Sequence, residues 1–435
     1  MPPVISMKPL RIGIIGMGGF AGVHHDVIAR LEESGEFRLV CACDPKMEAF
    51  SERQQTLRFA QRGVRVFPDY LAMLEACRSD LDVVTIPTPI PLHAPMHRAC
   101  VERGLAVYLE KPPTLDHAEL ERMIVVETKA VRQTVVGFNF IIEPERQTLK
   151  QRLAAGEFGR VKRVEVYALW PRNAAYFTRA DWAGRLQKDG RLILDSCIGN
   201  AMAHQVFNAL FWCGADSHWA WGDIERVQAE LYRAHAIEGL DTAFMAATTR
   251  QGVDLRLAMS HACQGIQRQE ECVVCERATL HYHIYNSGPS GQLYSVKWND
   301  GRVETGDPVD RRIEDMNFRA YAAYLRGETD RPTSRLPDCR SFVHLNNLAY
   351  IAARKITNVA TPHITRLPDG NLEISGLPGA TQEFISSGRF PSAQAMPWAV
   401  PGGSATPADL PALESVVKEM AEAVSCRRTA AGTQS

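Results

Sequence analysis

Leu10-Arg-Ile-Gly-Ile-Ile-Gly16-Met-Gly18-Gly19-Phe20-Ala21 runs from a short apolar stretch into a glycine-rich turn and then into a segment of helical periodicity. Strand, glycine turn and helix start in that order make a cradle for a dinucleotide. Gly16 permits the tight turn, Gly18 lets the backbone approach a pyrophosphate, and the N–H groups of Gly19, Phe20 and Ala21 open a helix whose positive end attracts the anion. The sixth position of the pattern is Ala21 instead of glycine, which the pattern tolerates. A second apolar run, Phe37 to Cys43, ends at Asp44, 23 residues after Ala21. That is where a carboxylate accepts the ribose hydroxyls of NAD and repels the 2′-phosphate of NADP, so NAD is the expected cofactor and NADP the less expected. Lys46 could reach such a phosphate, and Asp44, standing before Pro45, also reads as a turn residue.

At 435 residues the chain exceeds one ordinary core, so more than one domain is expected. Its 49 basic and 50 acidic side chains nearly cancel, and no long basic run is present, which argues against nucleic acid or an anionic membrane as partner. No apolar stretch has membrane-spanning length and the first residues do not read as a secretory signal, so a cytoplasmic protein is expected. Eleven scattered cysteines suit a reducing compartment better than a disulfide framework. Cys272 and Cys275 would point to opposite faces of a strand, and Cys41 and Cys43 lack a second ligand pair, so no metal is expected.

Between residues 10 and 137 apolar strands alternate with helical stretches. Strands are expected at Arg11–Ile15, Arg38–Cys43, Val64–Phe67, Asp82–Ile86, Ala106–Leu109 and Thr134–Val136, with helices notably over Pro91–Arg103 and Asp116–Ala130. This alternation predicts an α/β Rossmann domain, a doubly wound parallel sheet, over residues 1–137. Period-two strands follow at Val161–Trp170, Arg226–Arg233, Thr242–Thr249, Asp254–Ser260, Gln269–Cys275 and Ala278–Tyr285. They predict an α+β domain with an open antiparallel sheet over 138–400, for substrate binding and oligomerisation. Residues 401–435 read as a linker and a helix capped by Thr406, with Leu410, Leu413, Val417, Met420 and Val424 on one stripe that docks on its own subunit or on another.

Three segments carry candidate chemistry. Thr88-Pro89-Ile-Pro-Leu-His93 closes the fourth strand at the sheet edge where cofactors bind, and Glu110-Lys111-Pro112-Pro113 closes the fifth. A lysine there can hydrogen-bond a developing alkoxide. Trp170-Pro-Arg172-Asn173-Ala-Ala-Tyr176-Phe-Thr-Arg179-Ala-Asp-Trp182-Ala-Gly-Arg185 combines aromatic faces with forked donors, suiting a polyhydroxylated ring or an acidic sugar, or an interdomain or subunit contact.

With these motifs, and with His24 behind the glycine turn and Val136-Gly137-Phe138-Asn139 leading into the second domain, the chain resembles the glucose-fructose oxidoreductase and inositol dehydrogenase family, Gfo/Idh/MocA, from residue 10 to about 400. The resemblance implies cofactor contacts from Gly16, Gly18, Gly19, Phe20, Ala21, Asp44, Thr88, Pro89, His93, Glu110 and Lys111. It also implies catalysis by Lys111 with a histidine of the second domain, usually preceded by an aspartate four residues earlier. That histidine position falls on His204 and the aspartate position on Asn200, so the family's aspartate is missing. An Asn-x-x-x-His pair on a helix would put both side chains on one face. Asparagine cannot take a proton, which leaves His204 as the base, and Asp195 stands close enough to supply the missing carboxylate. Substrate contacts are expected from Asn139, Trp170, Arg172, Tyr176, Arg179, Trp182, Asp195 and Asn200. A homodimer or homotetramer joined through the open sheet is implied as well.

The leading reading is an NAD-dependent oxidoreductase moving a hydride between nicotinamide and a carbinol of a sugar, polyol or sugar acid. A glycosidase that retains NAD and cleaves by transient oxidation and elimination uses the same parts. A non-catalytic NAD-binding sensor or scaffold is the third reading, and fold alone does not separate them.

Overall fold

A computed structural model describes residues 8–284 and 291–432. The chain divides into two compact units. The first comprises the residues up to Thr114, Ala118–Glu143 and Arg311–Cys339; the second comprises Leu115–His117, Pro144–Asp310 and the residues from Arg340 onward.

In the first unit β1 (Leu10–Ile15), β2 (Phe37–Cys43), β3 (Arg65–Phe67), β4 (Val83–Ile86), β5 (Ala106–Leu109) and β6 (Val135–Val136) form one sheet in the order β3-β2-β1-β4-β5-β6. Every pairing is parallel. Strand order reverses between β1 and β4, so the carboxyl ends of these two strands flank the crevice where a doubly wound sheet binds its ligand. Helix α1 (Ala21–Glu33) follows β1 and buries Val27, Ile28 and Leu31 against the sheet.

Residues 311–339 belong to this first unit and not to the second domain expected over 138–400. The helix Ile313–Leu325 stacks Phe318 on Tyr108 of β5, with ring centroids 4.4 Å apart. Its Asp315 receives both Nε and a terminal nitrogen of Arg30 on α1, at 3.1 and 2.5 Å. Further on, Ser334 completes the free edge of β6: its carbonyl accepts the Val136 N–H at 2.9 Å and its hydroxyl donates to the Val136 carbonyl at 2.5 Å.

The second unit is built on a larger sheet. Its strands β7 (Val161–Leu169), β10 (Ile224–Arg233), β11 (Thr242–Thr249), β12 (Asp254–Ser260), β13 (Gln267–Cys275), β14 (Ala278–His283), β15 (Tyr294–Trp298), β16 (Val303–Gly306) and β17 (Ile356–Asn358) run in the order β16-β15-β14-β13-β7-β12-β11-β10-β17. The numbers 8 and 9 belong to a two-stranded hairpin, Gln187–Lys188 with Arg191–Leu192. Most pairings are antiparallel, as expected, but β7 with β12 and β10 with β17 are parallel, so the sheet is mixed. The expected strand Ala278–Tyr285 ends at His283, and Tyr285 lies outside the described residues. In the tail, Thr406 and Asp409 form a capping box. Leu410, Leu413, Val417 and Met420 are buried within the chain, so this stripe docks on its own subunit. Among the described residues no helix is long and apolar enough to cross a membrane.

Candidate active site

The glycine turn has the expected form. Gly16 adopts φ +127°, where an L side chain is strained, and its N–H donates to the Cys43 carbonyl at 2.7 Å, locking the turn to the end of β2. The N–H groups of Gly18, Gly19 and Phe20 have no acceptor among the described residues. Phe20 is also exposed. A row of free donors opening α1, which has no side-chain cap, is the feature a phosphate needs. Asp44 sits at the rim and does two things. It closes the local turn by accepting the Lys46 N–H at 2.9 Å, and its other oxygen accepts the Met17 N–H at 3.0 Å. Each oxygen keeps a lone pair for a ribose hydroxyl, so the turn role and the binding role coexist. These residues fit a dinucleotide.

Two residues beside the turn were not legible in the sequence. The Phe50 ring lies 3.0 Å from where a side chain on Gly18 would begin. The Arg53 guanidinium donates to the Met17 carbonyl at 2.5 Å and lies 2.2 Å from a side-chain start on Gly22. Both come from the segment after β2, where no motif distinguishes them from surface helix residues.

His24, Glu110 and His93 are structural clamps in this fold. His24 is buried on α1 with Nδ1 2.8 Å from the Thr85 hydroxyl of β4 and Nε2 2.9 Å from Glu110 Oε1. The second Glu110 oxygen accepts the Lys111 N–H at 3.0 Å. A side chain on Gly137 would start 2.7 Å from Glu110 Oε1, so the glycine makes room for the carboxylate. His93 bridges two loops, Nε2 to the Thr88 carbonyl at 2.8 Å and Nδ1 to the Pro112 carbonyl at 2.9 Å. Burial lowers its pKa. Neither ring nitrogen is left for a ligand; the ring instead ties the Thr88-Pro89 loop to the cis Lys111–Pro112 peptide. The Lys111 backbone is thereby held on both sides, with its side chain half-buried. Asn139 follows β6, where its Oδ1 accepts the Tyr108 hydroxyl at 3.2 Å and its carbonyl accepts Asn317 Nδ2 at 2.9 Å.

In the second unit His204 lies in the first turn of the helix Ala203–Cys213 and is half-buried. The helix is bolted down by side chains on its other faces. Gln205 reaches Gln269 at 3.2 Å, while Asn208 and Trp212 donate to the two oxygens of Glu271 at 2.8 and 2.5 Å. Glu271 also pairs with Arg146, both fully buried. At the far end the Lys150 ammonium caps the helix on the carbonyls of Phe211, Gly214 and Ala220. Removing Glu271 would strand a buried guanidinium, so Glu271→Ala is expected to cost about 3–5 kcal/mol of stability in urea unfolding. A loss below 1 kcal/mol would show that the cluster does not hold the helix.

Asn200 does not share an α-helix with His204, contrary to the expected spacing argument. Residues Cys197–Ala201 form a π-helical turn, and Met202, at φ −108° and ψ 26°, breaks the register before Ala203. Ser196 caps the turn through the Gly199 N–H at 3.0 Å. Asp195 is buried just before it, preceded by Leu194 in the left-handed region at φ +52°. Its Oδ2 accepts the Gly184 N–H at 2.7 Å and its Oδ1 accepts Asn200 Nδ2 at 2.8 Å. A carboxylate only accepts, so the Asn200 amide must present its N–H₂ to Asp195 and its oxygen elsewhere.

The arginine and aromatic residues of 170–182 assemble into a ladder ending on this aspartate. Arg172 lies over Trp170 and Tyr176, 4.1 and 4.9 Å from the ring centroids. Arg179 lies over Tyr176 and Trp182, at 3.8 and 4.8 Å, and its guanidinium is 3.7 Å from Asp195 Oδ2. Burial, followed by the Asp195 charge, raises the Tyr176 pKa, which keeps the phenol neutral.

Comparison with known proteins agrees with this anatomy. Residues 10–138 match the family described as "Oxidoreductase family, NAD-binding Rossmann fold", and residues 146–281 match the "GFO/IDH/MocA C-terminal domain". Inositol 2-dehydrogenase 4 of Saccharopolyspora erythraea is 36% identical over 157 residues, which is 36% of this chain and 44% of that protein. The chain thus matches less than half the length of that relative. Inositol 2-dehydrogenase of Streptomyces avermitilis is 27% identical over 335 residues, covering 75% of this chain and 87% of that one. Among solved structures the WlbA dehydrogenase of Bordetella pertussis, determined with NADH and UDP-GlcNAcA, shares the fold with a TM-score of 0.64 at 22% identity, over 80% of this chain and 97% of its own. With a glycine turn built for a dinucleotide and both domain matches together spanning most of residues 10–281, the chain belongs to the GFO/IDH/MocA family of NAD-binding oxidoreductases.

Proposed function

We propose that this protein is an NAD-dependent oxidoreductase acting on a carbinol of a sugar, polyol or sugar acid. The observation that carries the reading is the turn of free Gly18, Gly19 and Phe20 donors with the Asp44 carboxylate at its rim. Bound NAD would supply the hydride acceptor. His204 takes the hydroxyl proton as the carbinol carbon loses its hydride, and the Lys111 ammonium hydrogen-bonds the developing alkoxide. Asp195 fixes Asn200 so that the amide oxygen can accept a substrate hydroxyl, and it thereby stands in for the missing family aspartate as a positioning group. The relatives named above are dehydrogenases, and none lends support to the glycosidase or the sensor reading. Incubation with NAD and a panel of sugars, polyols, sugar acids and aryl glycosides tests the proposal. NADH absorbance should rise with at least one carbinol substrate, whereas aglycone release without NADH would favour glycoside cleavage.

NAD is the preferred cofactor. Hydrogen bonds to a charged acceptor are worth about 1.5–3 kcal/mol, so NADH is expected to bind roughly tenfold or more tightly than NADPH in fluorescence titrations. The reverse order would assign the ribose pocket to Lys46 and Arg53.

A further inference from the structure

Three arginines lie in the segment 170–185, and two of them are paired. Arg179 meets Asp195 at 3.7 Å and Arg185 meets Glu238 at 3.5 Å, while the nearby Lys188 is paired with Asp181. Arg172 differs. Among the described residues no carboxylate lies within 4.0 Å of it, and its buried Nε has no hydrogen-bond acceptor. Stacking on Trp170 and Tyr176 covers the faces of the guanidinium and a side-chain hydrogen bond links it to the Tyr176 phenol, yet Nε keeps no acceptor.

The position of Arg172 is built. The Trp170 N–H donates to the Ser260 carbonyl at 2.9 Å and the Arg172 N–H to the His261 carbonyl at 3.1 Å, so the backbone runs on beside the end of β12. His261 returns a bond from Nδ1 to the Trp170 carbonyl at 2.7 Å. Burial pushes the His261 pKa down to about 4, so this prop adds no second positive charge. A planar fork held between two rings, with no carboxylate against it, is shaped for two anionic oxygens. The ladder then leads from Arg172 through Tyr176 and Arg179 to Asp195 and Asn200.

We infer that Arg172 is the specificity-determining group for an anionic sugar, whose carboxylate or phosphate supplies the anionic partner that the guanidinium lacks among the described residues. The inference rests on the proposed sugar oxidoreductase activity and narrows its substrate class.

The test compares gluconate and glucuronate, glucose 6-phosphate, and the neutral glucose and myo-inositol, using wild type, Arg172→Met and Arg172→Lys in the presence of NAD. Wild-type kcat/KM is expected to be at least tenfold higher for one of the anionic sugars than for the neutral ones. Arg172→Met should erase that preference, costing at least tenfold more on the anionic than on the neutral sugars, and Arg172→Lys should recover only part of it. Carboxylate against phosphate is decided by which anionic arm responds. Tryptophan fluorescence, with Trp170 and Trp182 on the ladder, gives a readout independent of turnover: saturable quenching by the same anions should weaken at least tenfold in Arg172→Met. Preference for neutral sugars, equal losses on both classes, a changed oligomeric state in place of a changed preference, or identical quenching in wild type and variant would overturn the inference. Arg172-dependent anion quenching without NADH formation from any sugar would instead remove the oxidoreductase reading and keep this one.

Discussion

Replacing His204 by alanine is expected to lower turnover by about 10²–10⁴-fold while leaving NADH affinity within a few-fold of wild type, the signature of a lost general base. The fold should not mask the effect. Gln205, Asn208, Trp212 and the Lys150 cap hold the helix Ala203–Cys213. Alanine is also the best helix former. Steady-state rates and an NADH titration on the same preparation check the expectation. Loss of NADH binding would make His204 a structural or cofactor residue, and turnover within a few-fold of wild type would remove it from the mechanism.

Lys111→Met should keep the fold and much of the NADH affinity, yet kcat and kcat/KM should fall together by about 10²–10³-fold, as when one donor to a developing oxyanion is removed. Its backbone is anchored independently of the side chain, by Glu110 Oε2 on the Lys111 N–H and by His93 on the Pro112 carbonyl. Lys111→Arg should not restore activity, because the guanidinium spreads its charge over a plane that the compact ammonium does not occupy. An active arginine variant would reduce the role of Lys111 to positive charge and leave proton handling to His204 alone.

The first sheet was legible because a parallel sheet buried on both faces needs apolar runs, and the glycine turn stood between such a run and a helical one. Partners were less legible than elements. The stripe of Phe318, Tyr321 and Ala322 shows that the helix Ile313–Leu325 is buried, but no local pattern says that it packs on Tyr108. The parallel pairing of β7 with β12 is likewise a choice made by tertiary packing, since the alternation within each strand is the same for either direction. At the candidate site the hydrogen-bond partners were not legible. Asn200 and His204 have helical spacing, yet the intervening turn is π-helical and ends at Met202. Glu110 follows β5, His24 sits on α1 and His93 follows the Thr88-Pro89 loop, but their polar atoms are spent on one another, on the Thr85 hydroxyl or on the backbone. Arg172 and Arg179 look alike in sequence, and only folding shows that one has Asp195 beside it.

In the proposed reaction bound NAD would supply the acceptor for the substrate's C–H hydride while His204 takes the O–H proton. Mass spectrometry of the reduced cofactor after turnover of a substrate deuterated at the carbinol carbon tests it most directly. NADH one mass unit heavier, formed in stoichiometry with the oxidised sugar and lost in step with turnover in His204→Ala, is the predicted result. Unlabelled NADH, or deuterium released to water without net NADH, would contradict it.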